Sequence, residues 1–419
     1  MTRTLPPWAQ ELLDGHPDET APSRADPMPA WLESELARVP LWARIRQTPE
    51  IRQRHPFLLI EDLRKQPDLM RQVLELRSEL AALAHRLIDQ GIRHLVFTGC
   101  GSAFHSSQFG SFICRKWSGW TTESHDSLEF THHWAQGQEP TAVVVQSATG
   151  STAETIDAAR HAADHGLVTV ALTNTAGSAL EALCDETICF PTGQRCGPAV
   201  SVLTTRLMML YVLALEVGAA TGELSAHEAD ELGHAIGHLP DAAAQFLYEE
   251  DLNVSQIANA LNDQQALLLV GGGPNWFSAR EGALKVEEES SLLCKAYRPA
   301  GYLHNAIPVL ADTVGTIVIA PPGKAYGRLH DVVRTARAAR SPSLALVVEG
   351  DDAIAPDASF VIAVPGPLGE LLMPPLAAVA FQLLGYYLGA ERGINPDTLR
   401  SDDLDHARAW LTAFPFGSQ

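Results

Sequence analysis

Positive charge is scarce in this chain. Its 30 lysines and arginines face 50 aspartates and glutamates over 419 residues, a formal net charge of −20. Nucleic acid is therefore not an expected partner, because a phosphate backbone needs a basic face. A small anion remains possible as a ligand, since one helix terminus can outweigh the global field locally. Cysteine is sparse too: Cys100, Cys114, Cys184, Cys189, Cys196 and Cys294 stand apart, with no C-x-x-C pair. That spacing argues against zinc, thioredoxin-like chemistry and a disulfide framework, and a reducing cytoplasm is the expected location. Uninterrupted apolar runs are few. Leu207–Leu215 is bounded by Arg206 and Glu216, and Leu371–Ala390 carries Pro374, Pro375 and Gln382. Both read as buried helices, and neither a membrane span nor a signal-peptide core is expected.

What is abundant is apolar residue, 46% of the chain, enough for large cores. The length suggests roughly two or three domains. Residues 1–75 are expected to form an N-terminal arm that becomes helical, with Trp8, Trp31 and Trp42 anchoring it on the main body or on a second subunit. Leu80, Leu83 and Leu87 keep helical spacing, and Gly91 is a plausible stop. Strands then alternate with helices. In the first half the strands fall at His94–Thr98, around Thr121–Ser124, at Val143–Val145, Leu167–Leu172 and Thr187–Phe190, and a long helix covers Ser201–Ala219. In the second half they fall at Ala266–Val270, Gly315–Ala320, Leu344–Val348 and Phe360–Val364, closed by a helix over Leu371–Leu388. The repetition implies an α/β protein of two doubly wound parallel sheets related by internal duplication. The expected boundaries are 76–220 and 251–395 for the two lobes, 221–250 for a linker helix and 396–419 for a tail.

The densest signal lies in VVVQSATGSTAET, Val143 to Thr155. A buried strand breaks into Ser147-Ala148-Thr149-Gly150-Ser151-Thr152, and a helix starts with Ser151 and Glu154 spaced as a capping box. Strand, hydroxyl-rich loop and helix N-terminus together read either as a phosphate cradle or as a well-capped helix after a buried strand, and the asymmetry between the halves favours the cradle. No lysine stands in it, so it is not a nucleotide-binding P-loop. The corresponding place in the second half reads Pro321-Pro322-Gly323, without hydroxyls, so the cradle belongs to the first half alone. The glycine turns Gly99–Gly101 and Gly271–Gly273 lack the third glycine of a dinucleotide fingerprint, where Phe104 and Trp276 stand. No cofactor is expected.

A second constellation follows the second glycine turn. In SAREGALKVEEE, Glu281, Lys285 and Glu288 lie on one helical face, either as a solvated stripe or as an acid–base group at a ligand crevice. His304 follows in a loop of turn residues. A carboxylate beside an anchored phosphate can shuttle a proton between adjacent carbons through an enediol. A histidine can open a sugar ring, and a lysine can stabilise the enediolate. His125, His132 and His133 lack metal-ligand spacing, and no metal is expected.

Taken together, these motifs resemble the sugar isomerase (SIS) domain family, in particular the isomerase half of glutamine–fructose-6-phosphate transaminases. The resemblance covers about residues 75–400. It rests on Cys100-Gly101-Ser102-Ala103, Glu129-Phe130, Ser147–Thr152, Val200-Ser201-Val202-Leu203, the Glu281–Glu288 helix, Leu303-His304-Asn305-Ala306 and Asn395-Pro396-Asp397. It implies two tandem flavodoxin-like lobes, each an αβα sandwich. It also implies that Ser102, Ser147, Thr149, Ser151 and Thr152 hold a sugar phosphate, and that Ser201 and Glu281 meet sugar hydroxyls. Glu288 would be the enolising base, Lys285 its support and His304 the ring opener, reaching across a homodimer. The expected activity is aldose–ketose isomerisation of a sugar or amino-sugar phosphate, with deamination in the amino-sugar case. A deglycase and a non-catalytic sugar-phosphate sensor are the alternatives. Nothing in the sequence resembles a glutaminase half. The imine-forming lysine of the synthases is missing from Leu399-Arg400-Ser401-Asp402-Asp403, so glutamine-dependent amination is not expected.

Overall fold

A computed structural model describes residues 52, 54–135, 137, 139–193 and 196–413. The anchoring role expected for Trp8, Trp31 and Trp42 lies outside these residues. Helices α1 (Leu58–Glu75) and α2 (Arg77–Asp89) lead into β1 (His94–Gly99). Then come α3 (Ser102–Ser118), β2 (Thr121–Asp126), α4 (Ser127–His133), β3 (Thr141–Ser147) and α5 (Ala153–Asp164). The first sheet is completed by β4 (Val168–Thr173), α6 (Ala179–Leu183), β5 (Glu186–Cys189) and the long helix α7 (Ser201–Thr221). Its strands are all parallel in the order β2-β1-β3-β4-β5.

Two helices, α8 (Ala226–Gly237) and α9 (Leu239–Glu249), stand where the sequence suggested one linker helix over 221–250, and α10 (Asp251–Leu261) follows them. Pro240 opens α9, a position that proline favours because its missing N–H has no intrahelical partner there. The second lobe runs β6 (Ala266–Gly271), α11 (Asn275–Ser290), β7 (Leu293–Tyr297), α12 (Pro299–Asn305), β8 (Val314–Ile319) and α13 (Tyr326–Ala338). It ends with β9 (Ser343–Val348), β10 (Phe360–Val364), α14 (Pro374–Glu391) and α15 (Leu404–Ala413). Its parallel strand order, β10-β9-β8-β6-β7, is that of the first sheet read from the other edge.

Strand composition explains the layers. TAVVVQS and ALLLVG run apolar on both faces, as a parallel sheet covered on both sides requires. On one face of the first sheet, Val143 and Val145 pack with Ile156 and Ala159 of α5. On one face of the second, Val270 and Val318 pack with Leu329 and Val332 of α13. The opposite faces fuse: Phe97 and Val144 of the first sheet share one apolar cluster with Leu267 and Ile317 of the second. Helices α7 and α14 lie in this shared core. Each is mostly apolar and buried on nearly every side, Arg206 of α7 and Gln382 of α14 included. Helix α7 is long and apolar enough to cross a bilayer, yet 89% of its apolar window is buried against protein.

Candidate active site

The strand order of the first sheet reverses between β1 and β3. Ligands of open α/β sheets bind at such a point, outside the carboxyl ends of the strands. Two loops diverge there: Cys100-Gly101 before α3, and Ala148–Thr152 before α5. The second loop is built by its own hydroxyls. Gly150 N donates to Ser147 Oγ at 3.0 Å, Ser147 Oγ and Thr152 Oγ1 stand 3.2 Å apart, and Ser151 Oγ donates to Thr149 Oγ1 at 2.9 Å. Gly150 has φ +64°, and a Cβ there would lie 2.2 Å from Ser178 Oγ. The residue is glycine for both reasons.

The capping box expected from Ser151 and Glu154 does not form. Helix α5 starts at Ala153 behind Thr152, and no side chain caps it. The Ser151 hydroxyl is engaged with Thr149 instead. The uncapped amides at this helix start are donors for an anion.

The second constellation is not a solvated stripe. Glu281 and Lys285 are buried, and about a quarter of the Glu288 side chain, 24%, is exposed. Lys285 Nζ bonds Glu288 Oε2 and lies 3.6 Å from Glu281 Oε1. Glu281 in turn accepts from two residues of the first lobe, Ser102 Oγ at 2.8 Å and the His105 ring at 2.7 Å. Burial alone would push the Glu281 carboxyl up. Lys285, His105 and the Ser102 hydroxyl outweigh it and bring it down to about 2. Burial works against the Lys285 charge, but Glu288 and Glu281 hold its pKa above the ordinary lysine value. Glu288 is raised, chiefly by burial and further by the Glu281 charge, against the pull of Lys285. A fourth member, Glu289, is wholly buried with no hydrogen bond to either carboxyl oxygen. Burial drives its carboxyl far above the ordinary range.

Helix α11 thus presents a charged row between two spaces. A narrow cleft between the lobes is lined by His105, Phe109, Leu203, Phe277, Glu281 and Ala378. Glu288 faces a wider, solvent-open cavity of about 460 Å³, with Arg400, His406 and Trp410 on its other side. Ser201 begins α7, and its hydroxyl donates to Asp62 O at 3.0 Å. His304 is exposed on α12, and no hydrogen bond joins it to Lys285, Glu288 or the Ser147–Thr152 loop.

Several residues escaped the sequence reading. His105 stands three residues after Ser102, on the same face of α3, and that helical spacing was a usable signal. Asp397 was singled out with Asn395 and Pro396, but its contacts were not readable: its carboxylate accepts from Leu58 N at 2.9 Å and Leu59 N at 2.8 Å, capping α1 from the far end of the chain. The same turn receives Gly197 N at 2.8 Å, which places the Cys196-Gly197-Pro198 loop against it.

Comparison with known proteins agrees with this architecture. Residues 87–216 match the SIS domain. A glutamine–fructose-6-phosphate aminotransferase (isomerizing) of Gloeobacter violaceus is 29% identical over 376 residues, covering 86% of this chain and 61% of that protein. Across such curated relatives the chain spans about three fifths of their length, 57% to 61%, over their isomerase portion. Among solved structures, the C-terminal domain of glucosamine-fructose-6-phosphate aminotransferase from Francisella tularensis superposes with a TM-score of 0.75 at 16% identity, covering 82% of this chain and 98% of that one. The tagatose-6-phosphate ketose/aldose isomerase of Escherichia coli gives 0.70 at 17% identity, covering 82% and 95%.

Proposed function

We propose that this SIS-domain chain is a phosphosugar-processing enzyme. It interconverts the aldose and ketose forms of a phosphorylated sugar through an enediol; where the substrate is a 2-amino sugar, the same proton transfer leaves an imine at carbon 2 that water hydrolyses to the ketose and ammonia. The observation that carries this reading is Lys285, buried between Glu281 and Glu288, with Ser102 and His105 joining the group from the other lobe. In this scheme the phosphate sits on the Ser147–Thr152 loop and the α5 N-terminus. Glu288 takes the proton from the carbon beside the carbonyl, and the C–H electron pair becomes the C=C bond of the enediol. Returning that proton to the adjacent carbon completes the isomerisation. A carboxyl raised toward working pH suits both steps. Lys285, held charged, stabilises the oxyanion that develops. His304 opens the sugar ring from a partner subunit of a homodimer. The protein works in the cytoplasm without a cofactor.

The missing imine lysine tells against a synthase and fits a second reading equally well. Between Asn395 and Asp403 the chain offers Arg400 and Ser401 and no lysine to form an imine with a ketose. A deglycase, releasing an amine or amino acid from a sugar-phosphate adduct by the same enediol chemistry, needs no such imine. A non-catalytic sensor would have no use for a buried lysine between two carboxylates. The test is Glu288→Gln. It should keep its affinity for hexose 6-phosphates in calorimetry and lose turnover by at least about 100-fold. Undiminished turnover in that variant removes Glu288 as the base.

A further inference from the structure

Beneath the Ser147–Thr152 loop lies a cation that the scheme above does not use. Arg206 points from α7 into the first lobe and is 1% exposed. Among the described residues it forms no ion pair, although a buried charge is costly unless paired. Its two hydrogen bonds are long, both 3.4 Å: Nη1 to Ser106 Oγ and Nη2 to Asn174 Oδ1. Its Nε, wholly buried, has no partner. Burial lowers its pKa to about 10, with Glu281 opposing from a distance, so the guanidinium stays charged at neutral pH.

Both of its neighbours lead to the loop. Ser106 Oγ also donates to Gln146 Oε1 at 2.8 Å, and Gln146 immediately precedes Ser147. Asn174 N donates to Ala148 O at 3.2 Å, inside the loop. Gln146 itself is fully buried, and its Nε2 donor has no partner. Arg206 is therefore linked to the loop at its entry and at its second residue. The orphan groups of this network, Arg206 Nε and Gln146 Nε2, are both donors. A region with surplus donors and an unpaired cation, set under a loop of hydroxyls, lacks an anion.

We propose that Arg206 is a positioning residue for the anionic group of the ligand: it braces the Ser147–Thr152 loop from below and supplies the positive charge that the loop itself does not contain. The inference rests on the reading of that loop as a phosphate site. It names the chemistry favoured, a compact dianion such as a phosphate monoester, over a neutral sugar.

The test uses the full chain and inorganic phosphate as the probe, with binding measured by calorimetry and folding by thermal melting. Arg206→Met should weaken phosphate binding about tenfold or more, and Arg206→Lys should recover most of it. Gln146→Glu places a carboxylate within the network. It should raise the melting temperature by giving Arg206 a counter-ion, and weaken phosphate binding at the same time. A purely structural arginine would show the gain in melting without the loss of affinity, and that result overturns the proposal. The Gln146→Glu arm keeps the test decisive if Arg206→Met does not fold. Thr149→Val separates the two levels. If it weakens phosphate binding while Arg206→Met and Gln146→Glu do not, only the role of Arg206 falls. If the wild-type protein binds no phosphate, the loop reading and the Arg206 role fall together.

Discussion

Lys285 holds its charge where Glu281, Glu288 and Glu289 all act on it. Removing it strands buried carboxylates, so Lys285→Met should cost about 3–5 kcal/mol in chemical denaturation. It should also change the pH profile. Lys285 lowers the Glu288 carboxyl against the effect of burial. Without it, the acid limb of the turnover profile should move to higher pH, and an unmoved limb would contradict the coupling. Glu289 gives the opposite stability forecast. Its folded pKa lies above its unfolded value, so its protonated form favours folding. The penalty is absent below the ordinary glutamate range, about 4.3, and grows as pH rises through it. Glu289→Met should therefore stabilise the protein by on the order of 1–3 kcal/mol at neutral pH, with the gain shrinking toward pH 4. Melting curves across pH decide this; a pH-independent difference would contradict it. For Glu281 the sign reverses. Its contribution is present above the unfolded range and is lost as pH falls toward about 2. The row Glu281, Lys285, Glu288 was legible because helical period alone puts those residues together. Glu289 and Arg206 were not, because nothing in their local sequence tells which buried groups will lack partners.

At the scale of elements, helix α11 is placed by its packing against α14. Small residues allow the two to approach: a Cβ on Gly282 would lie 2.5 Å from Phe381 Cδ2, and one on Gly385 2.5 Å from Glu289 Oε2. At Gly389 the obstacle is backbone, Glu289 O at 2.2 Å, which no rotamer change relieves. Gly389→Ala should force the helices apart and destabilise the protein by about 1–3 kcal/mol in thermal or urea melts. A variant with wild-type stability would contradict the close approach. The buried strands were readable from their apolar runs, and Phe360–Val364 matches its expected bounds. Edge strand β7 was not readable. Leu293 and Lys295 are exposed, and a strand with so little buried surface leaves a weak pattern. The start of α5 was misread for a related reason. Ser151 has the spacing of a cap, but its hydroxyl finds Thr149, a contact set by the turn at Gly150.

The whole molecule joins the Ser147–Thr152 loop of one lobe to the charged helix α11 of the other. The joint is chemical as well as apolar. Ser102 and His105 reach across to Glu281, and the sheets share one core through α7 and α14. Repetition in the sequence revealed two lobes of like strand order. The face each lobe turns to the other was not readable, because α7 and α14 are apolar on most sides and carry little directional signal. Under the proposed reading, the net charge of −20 leaves anion capture to local features, the α5 N-terminus and the buried Arg206. Enediol chemistry at Glu288 is the central claim, and proton NMR in deuterated buffer tests it most directly. A panel of hexose and hexosamine 6-phosphates is incubated with the wild-type protein and with Glu288→Gln. The expected result is deuterium entering carbon 1 or carbon 2 of at least one sugar with the wild type and none with the variant. Exchange that persists unchanged in Glu288→Gln, or no exchange by the wild type with any sugar it binds, would contradict the claim.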